Sequence, residues 1–355
     1  MIMAGGTGGH IFPAAAVAET LEKQAFEIRW LGSERGMEST LVTMMGYQFC
    51  ALPVTAWQGG GKLRKLFAPF NLLRAVIGCM RIFRREKPDV VLGFGGFASA
   101  PGGLVAVMKQ VPLLLHEQNG VPGLTNRKLE KYSKTVMQAF PGTFTRDYPV
   151  VGNPVREGLC HFNAPAQRGV GQNRNLKILI LGGSQGAQAI NELVPEAIGL
   201  VAEKNRPELW HQTGKDKSET VQQNYQSFGI EATVVEFISD MAAAYKWADL
   251  VISRSGASTV SELAAVGVGS LLFPYPWHED RQQYHNAQWL VERGAAKLME
   301  QFETDAEILA NEIMRLNHDR QSLILLATNA WRAGVRDSAQ LIARIVNETV
   351  KGNAA

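Results

Sequence analysis

The sequence predicts an α/β protein made of two doubly wound, parallel-sheet domains, and three observations predict it. Short continuous apolar runs alternate with helix-period segments along the chain. Continuous runs mark strands covered on both faces, and their alternation with helices gives doubly wound units. A glycine-rich turn follows the first run of each half: Gly5-Gly6-Thr7-Gly8-Gly9-His10 after residues 1–4, and Gly182-Gly183-Ser184-Gln185-Gly186-Ala187 after residues 176–181. The length of 355 residues suits two domains of ~100–200 residues each. Two Rossmann-like domains facing each other across a cleft are therefore expected, with ligands at the carboxyl ends of the strands.

Residues 27–32, 89–94, 112–117, 134–140 and 149–151 read as further strands of the first half. Residues 176–181, 208–212, 232–238, 249–253, 270–275 and 295–300 read as strands of the second. Amphipathic stretches such as 188–204 and 282–293 supply the helices between them. Segment 152–175, rich in Asn, Pro, Gln and Gly, reads as a linker, which places one domain at 1–156 and the other at 157–335.

Hydrophobic residues make up 46% and charged residues 19%, too apolar a balance for a disordered chain. Cys50, Cys79 and Cys160 form no CxxC pair and leave an odd thiol, which points to a reduced cytoplasmic protein without disulfides or a zinc knuckle. The net charge of +3 conceals an asymmetry. Residues 1–155 hold 17 Lys/Arg against 10 Asp/Glu, and residues 156–355 hold 19 against 23. Eight of those basic residues lie in 62–87 beside the lone acid Glu86, so an anionic partner, a surface, is expected for the first half. No signal peptide is read at the start. The uncharged runs 39–61 and 90–108 have the length of a membrane span, but glycines and prolines break both, and neither is expected to cross a bilayer.

Glycine turns that open helices let the backbone approach a ligand and aim N–H groups at an anion. The turn at 182–187, with the Ser184 hydroxyl, suits a diphosphate, although close strand–helix packing would also require such glycines. The turns at 5–10 and Gly93-Phe94-Gly95-Gly96 can serve a second phosphate group, so two phosphorylated substrates are expected. Gly6-Thr7-Gly8 begins a dinucleotide fingerprint, but Ile11 stands where its third glycine belongs. Glu34, after the second strand, keeps an NAD-dependent oxidoreductase open as an alternative. Walker A, Asp-x-Asp and HExxH patterns are absent, so no metal is expected.

Residues 254–262 follow a buried run and open a helix. Glu262 either closes a capping box with Ser258 or Thr259, or accepts hydrogen bonds from a ribose diol. Gln282-Gln283 offers amides that suit sugar hydroxyls or a polar helix face. His10, at the end of its glycine loop, is a candidate general base. The polar run His116-Glu117-Gln118-Asn119, after three leucines, makes Glu117 a second candidate. Stretch 62–87 mixes its charges with Leu66, Phe67, Phe70, Leu72, Leu73, Val76, Ile77, Ile82 and Phe83, while Arg74, Arg81 and Arg85 share one helical face. It reads either as an ordinary amphipathic helix or as one lying on an anionic membrane. Nucleic acid is not expected, because no nucleic-acid-binding motif accompanies the patch.

In this order the blocks at 5–10, 89–103, 116–123, 152–156, 182–187, 254–262 and 280–284 resemble the MurG family, and the likeness spans essentially the whole chain. Members are UDP-N-acetylglucosamine:lipid I N-acetylglucosaminyltransferases of bacterial peptidoglycan synthesis. The resemblance implies a GT-B fold with a C-terminal helix near 336–350 returning to the first domain. It implies a single displacement in which the C4 hydroxyl of N-acetylmuramic acid in undecaprenyl-linked lipid I attacks UDP-GlcNAc, giving β-1,4-linked lipid II without cofactor or metal. His10 matches the base position, with Glu117 and His116 as rivals. Thr7, Gly8, Gly9, Asn119, Arg156, Ser184, Ile238, Ala257, Ser258, Thr259, Val260, Ser261, Glu262 and Gln282 match donor-binding positions. Among these Glu262 would take the ribose diol, the Ile238 backbone the uracil edge, and Asn119 and Gln282 the sugar. Gly5, Gly6, Gly95 and Gly96 would receive the acceptor diphosphate. Arg74, Arg81, Arg85, Phe70 and Ile77 would dock on the anionic cytoplasmic face of the inner membrane, with cell-wall synthesis and division proteins as further partners. Phe97 departs from the family's tyrosine, Ser258 from a commonly apolar residue, and the first strand begins late, as a truncated or reassigned start would make it. A membrane-docked nucleotide-sugar sensor without catalysis is the binding-module alternative.

Overall fold

The computed structural model describes residues 1–53, 68–172, 175–183 and 185–354. Two compact units make up the chain: Met1–Arg156 with Arg336–Ala355, and Glu157–Val335.

In the first unit the elements run β1 (Ile2–Ala4), α1 (Gly8–Glu22), β2 (Arg29–Ser33), α2 (Met37–Met44), β3 (Gln48–Leu52), α3 (Ala68–Glu86), β4 (Val91–Gly95), α4 (Ser99–Met108), β5 (Leu113–Glu117), α5 (Leu124–Leu129) and β6 (Thr135–Gln138). The strands form one parallel sheet in the order β3-β2-β1-β4-β5-β6, with Ile2 paired to both Trp30 and Leu92. Successive side chains on a strand face opposite ways. Ile2, Trp30, Leu92 and Leu114 accordingly enter one core layer, and Met3, Leu31, Val91 and Leu113 enter the other.

The second unit runs α6 (Glu157–Cys160), β7 (Lys177–Leu181), α7 (Gln188–Gly199), β8 (Glu208–Gln212), α8 (Ser218–Ser227), β9 (Thr233–Val235), α9 (Met241–Trp247), β10 (Leu250–Ser253), α10 (Ala257–Val266), β11 (Gly269–Leu272), α11 (Gln282–Val291), β12 (Ala296–Leu298), α12 (Ala306–His318) and α13 (Arg320–Ala333). Its sheet, β12-β11-β10-β7-β8-β9, repeats the order of the first. Both orders reverse direction beside their first strand, between β1 and β4 and between β7 and β10, and such a switch point opens a ligand crevice at the strand carboxyl ends. The last helix, α14 (Ser338–Ala354), belongs to the first unit. Its Ile342, Ala343 and Val346 pack with Ile2, Ala14 and Val17.

Three expectations are corrected. Strand β3 lies inside the run 39–61 and was not expected. It is an edge strand with Gln48 and Ala51 exposed, and its apolar residues 49–52 are hidden inside the longer uncharged run. Residues 149–151 make only an isolated bridge, Gln138 to Val150, rather than a strand. Segment 152–175 is no simple linker, since it holds α6 and a short 3-10 turn, Pro165–Arg168, and buries Val155 and Leu159.

Among the described residues no helix is long and apolar enough to cross a membrane. Run 90–108 resolves into strand β4, a turn and helix α4.

Candidate active site

In the first unit the carboxyl ends of β1, β4 and β5 lie side by side, because those strands are neighbours. His10 does not end the glycine loop, as expected from sequence, but sits in the first turn of α1. From there its Nδ1 reaches back 3.0 Å to the Gly5 carbonyl oxygen. A carbonyl only accepts, so Nδ1 carries the proton and Nε2 keeps its lone pair. Burial pushes the imidazole pKa below its ordinary value, opposed by the carboxylates of Glu117 and Glu38 and by the Gly5 carbonyl. The ring is therefore neutral at pH 7, the form a general base needs.

Gly95 and Gly96 lie against this group. A Cβ on Gly95 would stand 3.3 Å from His10 Nε2, and one on Gly96 would come within 2.4 Å of the Gly5 oxygen. Both have positive φ, +98° and +94°, a backbone that strains any side chain, and at Gly96 the space is closed as well. Thr7 is the N-cap of α1 but makes no side-chain cap bond, and its Oγ1 lies 3.5 Å from His10 Nδ1. Gly5, Gly6, Thr7, Gly8, Gly9 and His10 thus form one backbone cradle at a helix N-terminus.

Glu117 is differently placed. Its Oε1 accepts from the Asn119 backbone N–H and Nδ2 at 3.1 and 3.2 Å, and Oε2 from the Gly123 N–H and Asn126 Nδ2 at 3.0 and 2.9 Å. Four donors on a buried carboxylate make it a tie for the loop after β5. His116 is fully buried. Its Nε2 donates to the Gly152 oxygen at 2.9 Å and its Nδ1 accepts from Gln118 at 3.1 Å. Desolvation holds its pKa down at about 4. With both nitrogens engaged it has no lone pair to offer as a base, which removes it as a rival to His10. Arg156 lies with its guanidinium over the Phe12 ring, 5.3 Å from the centroid.

Sequence reasoning missed Glu38. Its Oε2 accepts from the Gly6 N–H at 3.1 Å and its Oε1 from the Ser33 N–H at 2.9 Å, so a buried carboxylate from α2 holds the glycine turn. Gly6 lies 32 residues away, and no local pattern announces such a contact.

In the second unit the turn after β7 meets the end of β8. Gln212 Oε1 accepts from the Gly183 N–H at 3.0 Å, while its Nε2 donates to the oxygens of Gly183 and Glu236 at 3.1 and 2.8 Å. One amide therefore ties the glycine turn to the segment that carries Ile238. A Cβ on Gly186 would lie 2.2 Å from the Thr213 oxygen, so the packing explanation of that glycine holds whatever else the turn does. Lys217 Nζ donates to the Gln185 oxygen at 2.7 Å. Neither Gln212 nor Lys217 was singled out from sequence. Ser184 lies outside the described residues. Ile238 is buried, and Phe237 beside it is 71% exposed.

After β10, helix α10 carries Ala257, Ser258, Thr259, Val260, Ser261 and Glu262. Its N-cap is Gly256, without a side-chain cap bond, so Glu262 stands too far along to close a capping box with Ser258 or Thr259. Glu262 is nearly buried, and its Oε2 accepts from the Tyr245 hydroxyl at 2.9 Å. The Tyr245 hydroxyl thus orients this carboxylate. Gln282 donates from Nε2 to Asp280 Oδ2 at 2.8 Å, which fixes its amide at the start of α11.

On α3, Ala75, Val76, Cys79, Ile82 and Phe83 form the buried stripe. Phe70, Leu73 and Ile77 stand exposed on the other side, at spacings that align them with Arg74 and Arg81. Arg85 pairs with Glu86, which also binds Arg29 at 2.9 Å, so its charge is partly neutralised. Leu66 and Phe67, and the basic residues Lys62, Arg64 and Lys65, lie outside the described residues.

Family comparisons agree with this layout. Residues 1–138 match the glycosyltransferase family 28 N-terminal domain and residues 177–342 its C-terminal domain. A protein of Shewanella amazonensis is 45% identical over 99% of this chain and 98% of its own, and one of Alcanivorax borkumensis is 46% identical with the same coverage. Both carry the name UDP-N-acetylglucosamine--N-acetylmuramyl-(pentapeptide) pyrophosphoryl-undecaprenol N-acetylglucosamine transferase. The crystal structure of Acinetobacter baumannii MurG superposes with a TM-score of 0.87 at 36% identity, covering 98% of this chain and 99% of that one. The two-unit α/β architecture is thus of the GT-B type, and the dinucleotide-oxidoreductase alternative falls away. The chain belongs to glycosyltransferase family 28 and, within it, to the MurG family of N-acetylglucosaminyltransferases.

Proposed function

We propose that the chain transfers N-acetylglucosamine from UDP-GlcNAc to the C4 hydroxyl of the N-acetylmuramoyl group of lipid I, inverting the anomeric centre to give β-1,4-linked lipid II. The observation that carries the mechanism is the His10 ring, with Nδ1–H on the Gly5 oxygen and Nε2 left as a base beside Gly95. In one displacement Nε2 takes the acceptor proton as the C4 oxygen bonds to the anomeric carbon and UDP leaves. A single base suffices for inversion, and Glu117, saturated by four donors, positions Asn119 rather than competing for the proton.

The second unit is assigned the nucleotide. Gly182 to Ala187 and the N-terminus of α7 would meet the diphosphate, which gains negative charge as the bond breaks and is stabilised by the helix end. Ser184 is assigned to the same group. Ala257, Ser258 and Thr259 would add the N–H groups of the first turn of α10, with Val260 and Ser261 assigned to the donor behind them, Glu262 on the ribose diol, the Ile238 backbone on the uracil edge and Gln282 on the sugar. Thr7, Gly8, Gly9, Asn119 and Arg156 are the first unit's contribution to the donor, and Gly5, Gly6, Gly95 and Gly96 cradle the acceptor diphosphate. The test is transfer of labelled GlcNAc from UDP-GlcNAc onto a lipid I analogue, with the product linkage determined. A β-1,4 product is expected. Binding of UDP-GlcNAc without product would favour a sensor instead.

The exposed face of α3, with Phe70 and Ile77 beside Arg74 and Arg81, is assigned to the anionic cytoplasmic leaflet, which makes the protein peripheral. A basic side chain near such a surface contributes ~1 kcal/mol. Arg74→Glu with Arg81→Glu is therefore expected to weaken co-sedimentation with anionic vesicles by about tenfold or more, and the weakening should vanish with neutral vesicles. Arg85→Glu should do less, because Glu86 already pairs with that arginine. Unchanged sedimentation of the double variant would return α3 to an ordinary amphipathic helix.

A further inference from the structure

A cavity of about 620 Å³ lies in the first unit among α3, α4 and α5, within the ~300–1,000 Å³ range of ligand pockets. Its lining is mainly apolar, and although Ala75 and Leu129 belong to the buried core, several of the larger apolar side chains do not. Leu72, Leu104, Leu124 and Tyr132 come from separate elements, yet they converge on this space while 38%, 42%, 60% and 54% exposed. Isolated exposed apolar residues need no explanation, but four that line one cavity mark a site for an apolar ligand. Arg35 and Lys128 stand in the same lining with one acid, Glu34, so the balance is still basic and suits a ligand that is apolar along its length and anionic at one end.

The cavity lies next to the glycine turn. Phe97, the residue after Gly95-Gly96, lines it, and so does Thr125, whose Oγ1 donates to the Gly96 oxygen at 3.5 Å. Glu117 holds the start of α5 through Gly123 and Asn126, which fixes the Leu124 wall relative to that turn. Phe97 here needs no phenol hydroxyl, since it faces an apolar space.

We propose that this cavity receives the isoprene units nearest the diphosphate of the polyprenyl acceptor. The inference rests on the reading above, in which Gly95 and Gly96 cradle the acceptor diphosphate. A chain leaving that diphosphate must pass into water, into lipid or along protein, and this cavity, walled next to the turn by Phe97 and Thr125, offers it an apolar protein surface. The enzyme then recognises the lipid itself, in addition to any attraction of α3 to the bilayer.

The test uses two soluble acceptors with the same diphospho-N-acetylmuramoyl-pentapeptide head, one carrying a tetraprenyl chain and the other an ethyl group, assayed with UDP-GlcNAc in detergent-free buffer without vesicles. The wild-type protein is expected to show a KM for the tetraprenyl acceptor lower by about tenfold or more, since each buried methylene contributes. Leu104→Trp and, independently, Leu124→Trp fill the cavity from side chains that already reach solvent. Each should bring the two KM values together by raising only the tetraprenyl one, with KM for UDP-GlcNAc unchanged. A tetraprenyl preference that persists in both tryptophan variants, or one absent from the wild type, overturns the proposal while leaving the transferase reading intact. Transfer to neither acceptor by the wild-type protein brings down both.

Discussion

Replacing His10 by Gln is expected to lower kcat by roughly 10²–10⁴-fold, the usual contribution of a positioned general base. The amide can keep the hydrogen bond to the Gly5 oxygen but has no basic nitrogen in place of Nε2. Binding of UDP, measured by calorimetry, should change little, because the nucleotide is assigned to the other unit. The pH profile carries a second signature. Burial lowers the His10 pKa, so the neutral base persists to more acidic pH than an ordinary imidazole would. The acid limb of kcat/KM should accordingly fall below the usual histidine value of ~6.5 and should disappear in the variant. A wild-type kcat in His10→Gln would move the base to Glu117, despite its four donors.

Glu262→Ala should raise the KM for UDP-GlcNAc by about 10- to 100-fold, the equivalent of the ~1.5–3 kcal/mol carried by hydrogen bonds to a charged group. Recognition of the ribose diol makes a sharper demand than affinity alone. Wild-type protein should prefer UDP over 2′-deoxy-UDP, and the variant should lose that preference. Tyr245→Phe removes the hydroxyl that holds Oε2 and should produce a smaller rise in KM, with kcat preserved. An unchanged donor KM in Glu262→Ala would reduce this carboxylate to a support for α9 and α10.

Much of the fold was legible because parallel strands buried on both faces announce themselves. Residues 91–95 and 113–117 are buried at every position, and the apolar runs 89–94 and 112–117 announce them. Edge strand β3 escaped because its short apolar stretch at 49–52 merges with the longer uncharged run around it. The glycine turns were legible for a similar reason: a chain that must approach another backbone within a Cβ's reach, as at Gly96 and Gly186, has no other residue to use. Glu38 and Gln212 were not legible. Each acts across at least 24 residues of sequence on a backbone N–H or C=O, and a single polar residue carries no period that would reveal it.

The sequence by itself determined the class of architecture, its duplication, the family and the residue types available for chemistry, since all of these are written in local periodicity and in motif order. Tertiary structure decided what each of those residues is able to do. His10, His116 and Glu117 are equally plausible bases as letters. Only the packed sheet shows that His116 has both nitrogens engaged and Glu117 four donors, while His10 keeps one lone pair. Glu262 likewise passed from an open choice between cap and ligand to a carboxylate oriented by Tyr245, a neighbour 17 residues away. The physical reason is common to all four. Whether an acid or an imidazole is available to a substrate depends on which hydrogen-bonding partners the folded backbone brings to it, some from a few residues away, as Gly5 to His10 and Gly123 to Glu117, and some from far along the chain, as Gly152 to His116.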